Sequence, residues 1–210
     1  VDLGVVVRVE QRHVDLGGSM VPFGGFLLPV QYPTGIIAEH KAVREYAGIF
    51  DVSHMGEAVL SGPDALANLN GILTNDFTAM PTGAARYSLM LYENGGTVDD
   101  LIVYRLSEER FLLVLNASNT EKDIAWLRAH LTGDVQMTDL SAATAQIALQ
   151  GPRSKEILSK LSDESGLPDR YYSFKEHCRV AGADCLVSRT GYTGEFGYEL
   201  YMAPEHAAGV

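Results

Sequence analysis

The chain predicts an α+β fold, with helices and antiparallel strands mixed along its length. Three apolar, β-branched segments, 85–92, 101–106 and 110–116, are joined by turns at Glu93-Asn94-Gly95-Gly96 and Ser107-Glu108-Glu109, the pattern of an antiparallel meander. Amphipathic helical patterns stand on both sides of that meander. No regular strand–helix–strand alternation links them, which sets aside a doubly wound parallel sheet.

Each element follows from local chemistry. Residues 14–35 are rich in Gly and Pro and predict short strands and turns. Ile37, His40, Val43 and Tyr46 recur at threes, predicting a helix over Ile36 to Gly48 with Gly48 as its stop. Phe50 to Leu60 alternates as a strand and ends in the turn Ser61-Gly62-Pro63-Asp64, which opens a helix over Ala65 to Leu73. Ser118 with Glu121 three residues on reads as a capping box for a helix whose apolar face is Ile124, Leu127 and Leu131. Strands are predicted near 135–139 and 145–150, a helix from Pro152 to Leu161, a polar loop over 162–170, and strands within 176–188 and 197–202.

Composition narrows the function classes. At 210 residues and 46% hydrophobic, the chain can bury a real core, as one large domain or two interleaved ones. A net charge of −11 argues against general binding to a phosphate backbone. Cys178 and Cys185 are too few for a disulfide framework, and their spacing is no metal signature. No stretch reaches the length of a membrane span, and Val1 to Val9 lacks the cationic start and cleavage site of a signal peptide. The chain starts at Val1 and ends at Ala207-Ala208-Gly209-Val210, so the biological protein is expected to continue.

Four places carry candidate chemistry. In Gly95-Gly96-Thr97-Val98-Asp99-Asp100, two adjacent carboxylates follow a hairpin turn that glycine makes accessible. Strand alternation sends one inward and one outward, and the inward one needs a partner. They close the hairpin, pair with an arginine, or act on a ligand nitrogen. Asn116, at a strand end, is a turn residue or a ligand-facing amide. Thr190 to Glu199 holds three glycines in seven positions, with Tyr192 as a possible stacking platform and Glu199 as an acceptor for paired N–H donors; the alternative is a surface hairpin. Ser53-His54-Met55 lies on an apolar segment and reads first as core. Phosphate-loop, dinucleotide and nucleophile-elbow patterns are all missing, so no nucleotide cofactor is predicted.

These pieces occur in one order with Phe50-Asp51-Val52-Ser53-His54-Met55-Gly56, Ala85-Arg86-Tyr87-Ser88-Leu89-Met90, Asn116-Ala117-Ser118, Glu121-Lys122-Asp123 and Ala148-Leu149-Gln150-Gly151-Pro152. Together they resemble the T-proteins of the glycine cleavage system, the tetrahydrofolate-dependent aminomethyltransferases. The resemblance implies interleaved antiparallel sheets with flanking helices and a further β-rich C-terminal domain missing from this chain. It also implies a discontinuous first folate-binding subdomain over 1–50 and 140–210, with a second α+β subdomain over 51–139. Activity by resemblance is transfer of a one-carbon unit from the aminomethyl-lipoyl H-protein to tetrahydrofolate, with release of ammonia. It assigns the catalytic carboxylate to Asp100, leaving Asp99 as the outward neighbour, and folate contacts to Met55, Tyr87, Tyr104, Val114, Asn116, Tyr192 and Glu199. Tetrahydrofolate is the implied one-carbon acceptor, with no metal. The implied partner is the lipoylated H-protein, with no nucleic acid or membrane. The implied compartment is the cytoplasm of a bacterium or the mitochondrial matrix of a eukaryote. Gly25-Phe26 and Phe196 depart from the family's usual Gly-Trp and acidic residue, both away from catalytic positions. The folate half of dimethylglycine- or sarcosine-oxidising enzymes and a non-enzymatic folate-binding relative are the alternatives.

Overall fold

Strand pairing sorts the computed structural model, described for residues 10–163 and 166–210, into a hairpin and two five-stranded antiparallel sheets. Val1 to Val9 and two residues of the 162–170 loop lie outside the described residues. In chain order the elements are α1 (Glu10–Asp15), β1 (Met20–Phe23), β2 (Phe26–Pro29), α2 (Ile36–Glu45), β3 (Gly48–Asp51), β4 (Gly56–Ser61), α3 (Ala65–Ile72), β5 (Ala85–Leu91), β6 (Thr97–Arg105) and β7 (Arg110–Leu115). They continue as α4 (Thr120–His130), β8 (Gln136–Asp139), β9 (Ala145–Gln150), α5 (Ser154–Leu161), β10 (Phe174–Val180), β11 (Ala183–Ser188) and β12 (Gly197–Met202).

The described chain forms two units. One takes in the residues up to His54 together with Ala143–Val210, and the other is Met55–Ala142. Within the first, the sheet order is β10-β11-β12-β9-β3. Its core gathers Ile147, Leu158, Val180, Val187, Tyr198 and Leu200 with both cysteines. Within the second, the order is β5-β6-β7-β4-β8, and the meander foreseen over 85–116 supplies three neighbouring strands. One face of this second sheet packs Met90, Leu101, Val103, Leu113 and Leu60 against Leu69 of α3 and Leu127 of α4. Burying such side chains supplies the main drive for the unit, at about 1.5–3 kcal/mol each.

Two local expectations are corrected. The strand expected over 50–60 is broken: β3 pairs with β9 in one sheet, and β4 pairs with β7 and β8 in the other. The break sits where the Asp51 Oδ1 accepts the Ser53 backbone N–H at 2.9 Å, a side-chain-closed turn that competes with strand pairing. The capping box at Ser118 does not form. Ala117–Asn119 make a 3₁₀ turn, and Asn119 becomes the last residue before α4, with no side-chain cap. Its amide is engaged elsewhere, on Asp99.

Candidate active site

In the second unit, antiparallel register builds the site row by row. Tyr87 pairs with Ile102, Ile102 with Val114, and Val114 with Glu57. Paired residues share a face, so these four side chains cross the sheet as one row on the side away from α3 and α4. Asp100 and Tyr104, two positions either side of Ile102 on β6, stand on the same face. Asp99 stands on the other, the face α4 covers. Pairing with β5 is regular from Tyr104 back to Asp99, which stands opposite Met90; the bulge at Val98 comes just before it, where Leu91 pairs with Thr97.

Asp99, expected to face outward, is therefore the inward carboxylate, only 7% exposed. Its Oδ1 accepts from Asn116 Nδ2 at 3.0 Å and its Oδ2 from Asn119 Nδ2 at 3.0 Å. Burial works to raise its pKa. Hydrogen bonds from Asp123, Asn116, the Asp100 backbone and Asn119 outweigh burial and hold the carboxyl below the ordinary aspartate value. The same Asn116 Nδ2 lies 3.1 Å from both the Oδ1 and the backbone oxygen of Asp100. Carboxylates accept only, so the amide must turn its nitrogen toward the aspartates and its oxygen away. Asp100 itself is half-buried.

Four further expected residues differ in exposure. Tyr87 is exposed and Met55 half-buried, whereas Val114 is 5% exposed and Tyr104 has no exposed surface. Glu57, at the end of the row, is fully buried, and neither carboxylate oxygen has a hydrogen-bond partner among the described residues. Burial, with Asp139 nearby, pushes its carboxyl up to about 9, so it is neutral at physiological pH.

In the first unit, Glu199 on β12 is buried. Its Oε2 takes the Thr190 hydroxyl, and its Oε1 takes Gln146 Nε2 at 3.2 Å. Burial raises its pKa while these two bonds oppose the rise. Gln146 Nε2 also reaches the Tyr201 hydroxyl at 3.2 Å. Each Glu199 oxygen keeps room for a further donor. Tyr192, on the glycine-rich loop, is 77% exposed. His54 is half-buried; burial lowers its pKa against the opposing charge of Asp51, and its Nδ1 has no partner among the described residues.

A family model for the GCVT N-terminal domain matches residues 9–210. The chain belongs to that family. Among known members, the aminomethyltransferase of Listeria welshimeri is 50% identical over 202 residues, 96% of this chain and 56% of that protein. The aminomethyltransferase of Geobacillus kaustophilus is 52% identical over 192 residues, 91% of this chain and 52% of that protein. The crystal structure of glycine cleavage system aminomethyltransferase T from Bartonella henselae superposes with a TM-score of 0.87 at 33% identity, over 97% of this chain and 55% of that one. The chain thus spans about half the length of the curated relatives it matches.

Several residues of this GCVT N-terminal domain lay outside the sequence-based site. Asp123 had a readable signal: a carboxylate beside Ile124 and Leu127 on the apolar stripe of a helix. Glu57 had one too, as the lone acid within Gly56–Leu60. Gln146 and Thr190 had none, because only the register of β9, β11 and β12 brings them to Glu199. Among the described residues no helix is long and apolar enough to cross a membrane.

Proposed function

We propose that this chain is the folate-binding part of a glycine cleavage system aminomethyltransferase. In that reaction the one-carbon unit on the lipoyl arm of the H-protein passes to tetrahydrofolate. The carbon exchanges its bonds to sulfur and to the amine for bonds to two folate nitrogens. The two N–H protons displaced from folate leave with ammonia and with the thiol of the dihydrolipoyl arm.

Family membership and about half identity to proteins named aminomethyltransferase support this reading. The observation that carries it is Asp100: a half-buried carboxylate on the sheet face away from the helices, beside an amide committed to it. A carboxylate so placed orients the attacking amine and stabilises the cationic, iminium-like character that develops as ammonia departs. Holding both substrates together supplies much of the remaining rate. Glu199 accepts paired N–H donors of the pterin ring, its two oxygens already steadied by Thr190 and Gln146. Tyr192, largely exposed, serves as the stacking platform. Met55, Tyr87, Val114 and Asn116 complete the folate contacts, and Tyr104 joins them on the resemblance alone. Tetrahydrofolate is the acceptor substrate, no metal takes part, and the lipoylated H-protein is the donor. A bacterial cytoplasm suits these partners, since the relatives are bacterial.

Calorimetric titration with tetrahydrofolate, using the full chain as its gene encodes it, tests the reading. Glu199→Ala is expected to weaken binding roughly tenfold or more, the worth of a hydrogen bond to a charged group. No binding by the parent protein, or unchanged binding in the variant, would count against it.

A further inference from the structure

Behind the Asp99–Asp100 pair lies a third carboxyl. Asp123, in the first turn of α4, has no exposed surface. Neither of its oxygens receives an N–H or O–H from a described neighbour. Lys122 Nζ comes within 3.5 Å of Oδ1, yet it donates at 2.6 Å to the Val98 backbone oxygen from a side chain that is 44% exposed. What Asp123 does meet is Asp99, within hydrogen-bonding reach. Two ionised carboxylates cannot bond to each other, so one of the two carries a proton. Asp99 has two asparagine donors to hold its negative charge, and Asp123 has none. The proton therefore belongs on Asp123.

We propose that Asp123 is a positioning residue that works as a neutral acid: it donates to Asp99, and Asp99 in turn holds the Asn116 amide so that its N–H groups face both aspartates. Asn116 links this buried pair to Asp100, through contacts of 3.0 Å to Asp99 and 3.1 Å to Asp100. The chain of bonds runs Asp123 to Asp99, Asp99 to Asn116, Asn116 to Asp100. Only the last link, that Asp100 is the reacting carboxylate, rests on the proposed function above.

The charged and titratable groups facing Asp123 are Asp99 from β6 and Lys122 on its own helix. Burial, then the bond to Asp99 and its charge, push the Asp123 carboxyl up to about 8, with Lys122 opposing. As pH rises through that value Asp123 ionises, the bond to Asp99 turns into repulsion, and the amide loses its fixed orientation.

The test uses the full chain as its gene encodes it, with Asp123→Asn, Asp123→Leu and Glu57→Gln. Infrared difference spectra at pH 6.5 are expected to show protonated carboxyl absorption in the parent protein, one component lost in Asp123→Asn and another in Glu57→Gln. The component lost in Asp123→Asn is expected to titrate away near pH 8. In transfer assays Asp123→Asn, which still offers an N–H donor to Asp99, keeps kcat within about threefold and flattens the decline above pH 8. Asp123→Leu removes the donor and lowers kcat on the order of 100-fold, the scale set by misplacing a reacting group by about an ångström, with KM for folate little changed. Identical carboxyl spectra for the parent and Asp123→Asn at pH 6.5 would overturn the proposal. So would equal kcat losses in the Asn and Leu variants, which mark a merely structural site. If the parent shows no transfer at all, the functional reading fails, and the infrared comparison still decides where the proton sits.

Discussion

Gln150 and Gly191 fit so closely that a methyl group on Gly191 would lie 2.0 Å from Gln150 Oε1. Gln150 cannot step aside. It is 1% exposed, its Nε2 donates to the Thr190 and Tyr198 backbone oxygens at 3.1 Å each, and its Oε1 takes the Thr193 hydroxyl at 3.0 Å. A methyl on Gly197 would come within 2.4 Å of the same amide. One buried side chain thus clamps both ends of the loop that carries Tyr192. Gly191→Ala and Gly197→Ala are each expected to destabilise the fold by about 1–3 kcal/mol through overpacking. Urea denaturation measures this; parent-like midpoints for both variants would show that the clamp yields.

Asp100→Asn keeps the size of the side chain and removes its charge. If Asp100 stabilises developing positive charge, the variant loses on the order of 100-fold or more in transfer rate. Folate binding is partly kept, because Glu199 and the contacting side chains are untouched. Single-turnover transfer beside calorimetric titration separates the two effects. Turnover near that of the parent would sink the assignment of Asp100 as catalytic.

Local chemistry made much of this fold legible. The meander over β5, β6 and β7 and the helices α2 to α5 follow from periodicity and turn residues, and their boundaries moved by only a few positions. The aspartate pair shows where such reasoning stops. Alternation says that Asp99 and Asp100 face opposite ways, but which faces the core is set by register with β5, Asp99 opposite the core residue Met90 and Asp100 opposite Leu89, which no local pattern encodes. Likewise the glycines of 190–197 announce a close approach, while its object, the Gln150 amide, lies forty residues away across the pairing of β9 with β12. Ser118 misled because a good capping residue competes with a 3₁₀ entry, and the entry won when Asn119 found a partner in Asp99.

Cys178 and Cys185 face each other across β10 and β11 as thiols outside any disulfide, each at most 2% exposed. Burial, then Asp184 and Cys178, push the Cys185 thiol up to about 11, so little reactive thiolate forms near neutral pH. Alkylation at pH 8 is expected to be slow in the folded protein and to reach both thiols together as urea opens the first unit. Mass spectrometry after iodoacetamide treatment reads this directly. Rapid labelling of one cysteine in the absence of denaturant would contradict the packing.

Glu57 makes the second unit sensitive to alkaline pH. Its carboxyl is neutral in the fold, at about 9, and ionised in the unfolded chain above the ordinary glutamate value of 4.5. The sign follows from proton uptake on folding. The raised pKa contributes stability that is full below the unfolded value and is lost as pH climbs toward 9. Within that window the loss reaches up to about 1.4 kcal/mol per pH unit for one such group. Asp123, pushed up to about 8, adds a loss of the same sign over its own window. Glu57→Gln removes one of the two titrations while keeping the shape of the side chain. It is expected to be close to the parent in stability at pH 5 and to gain on it steadily by pH 8.5, by up to about 4 kcal/mol. Urea unfolding at both pH values measures the difference. A constant offset between variant and parent across that range would mean that Glu57 is ionised in the fold and that water reaches its carboxylate.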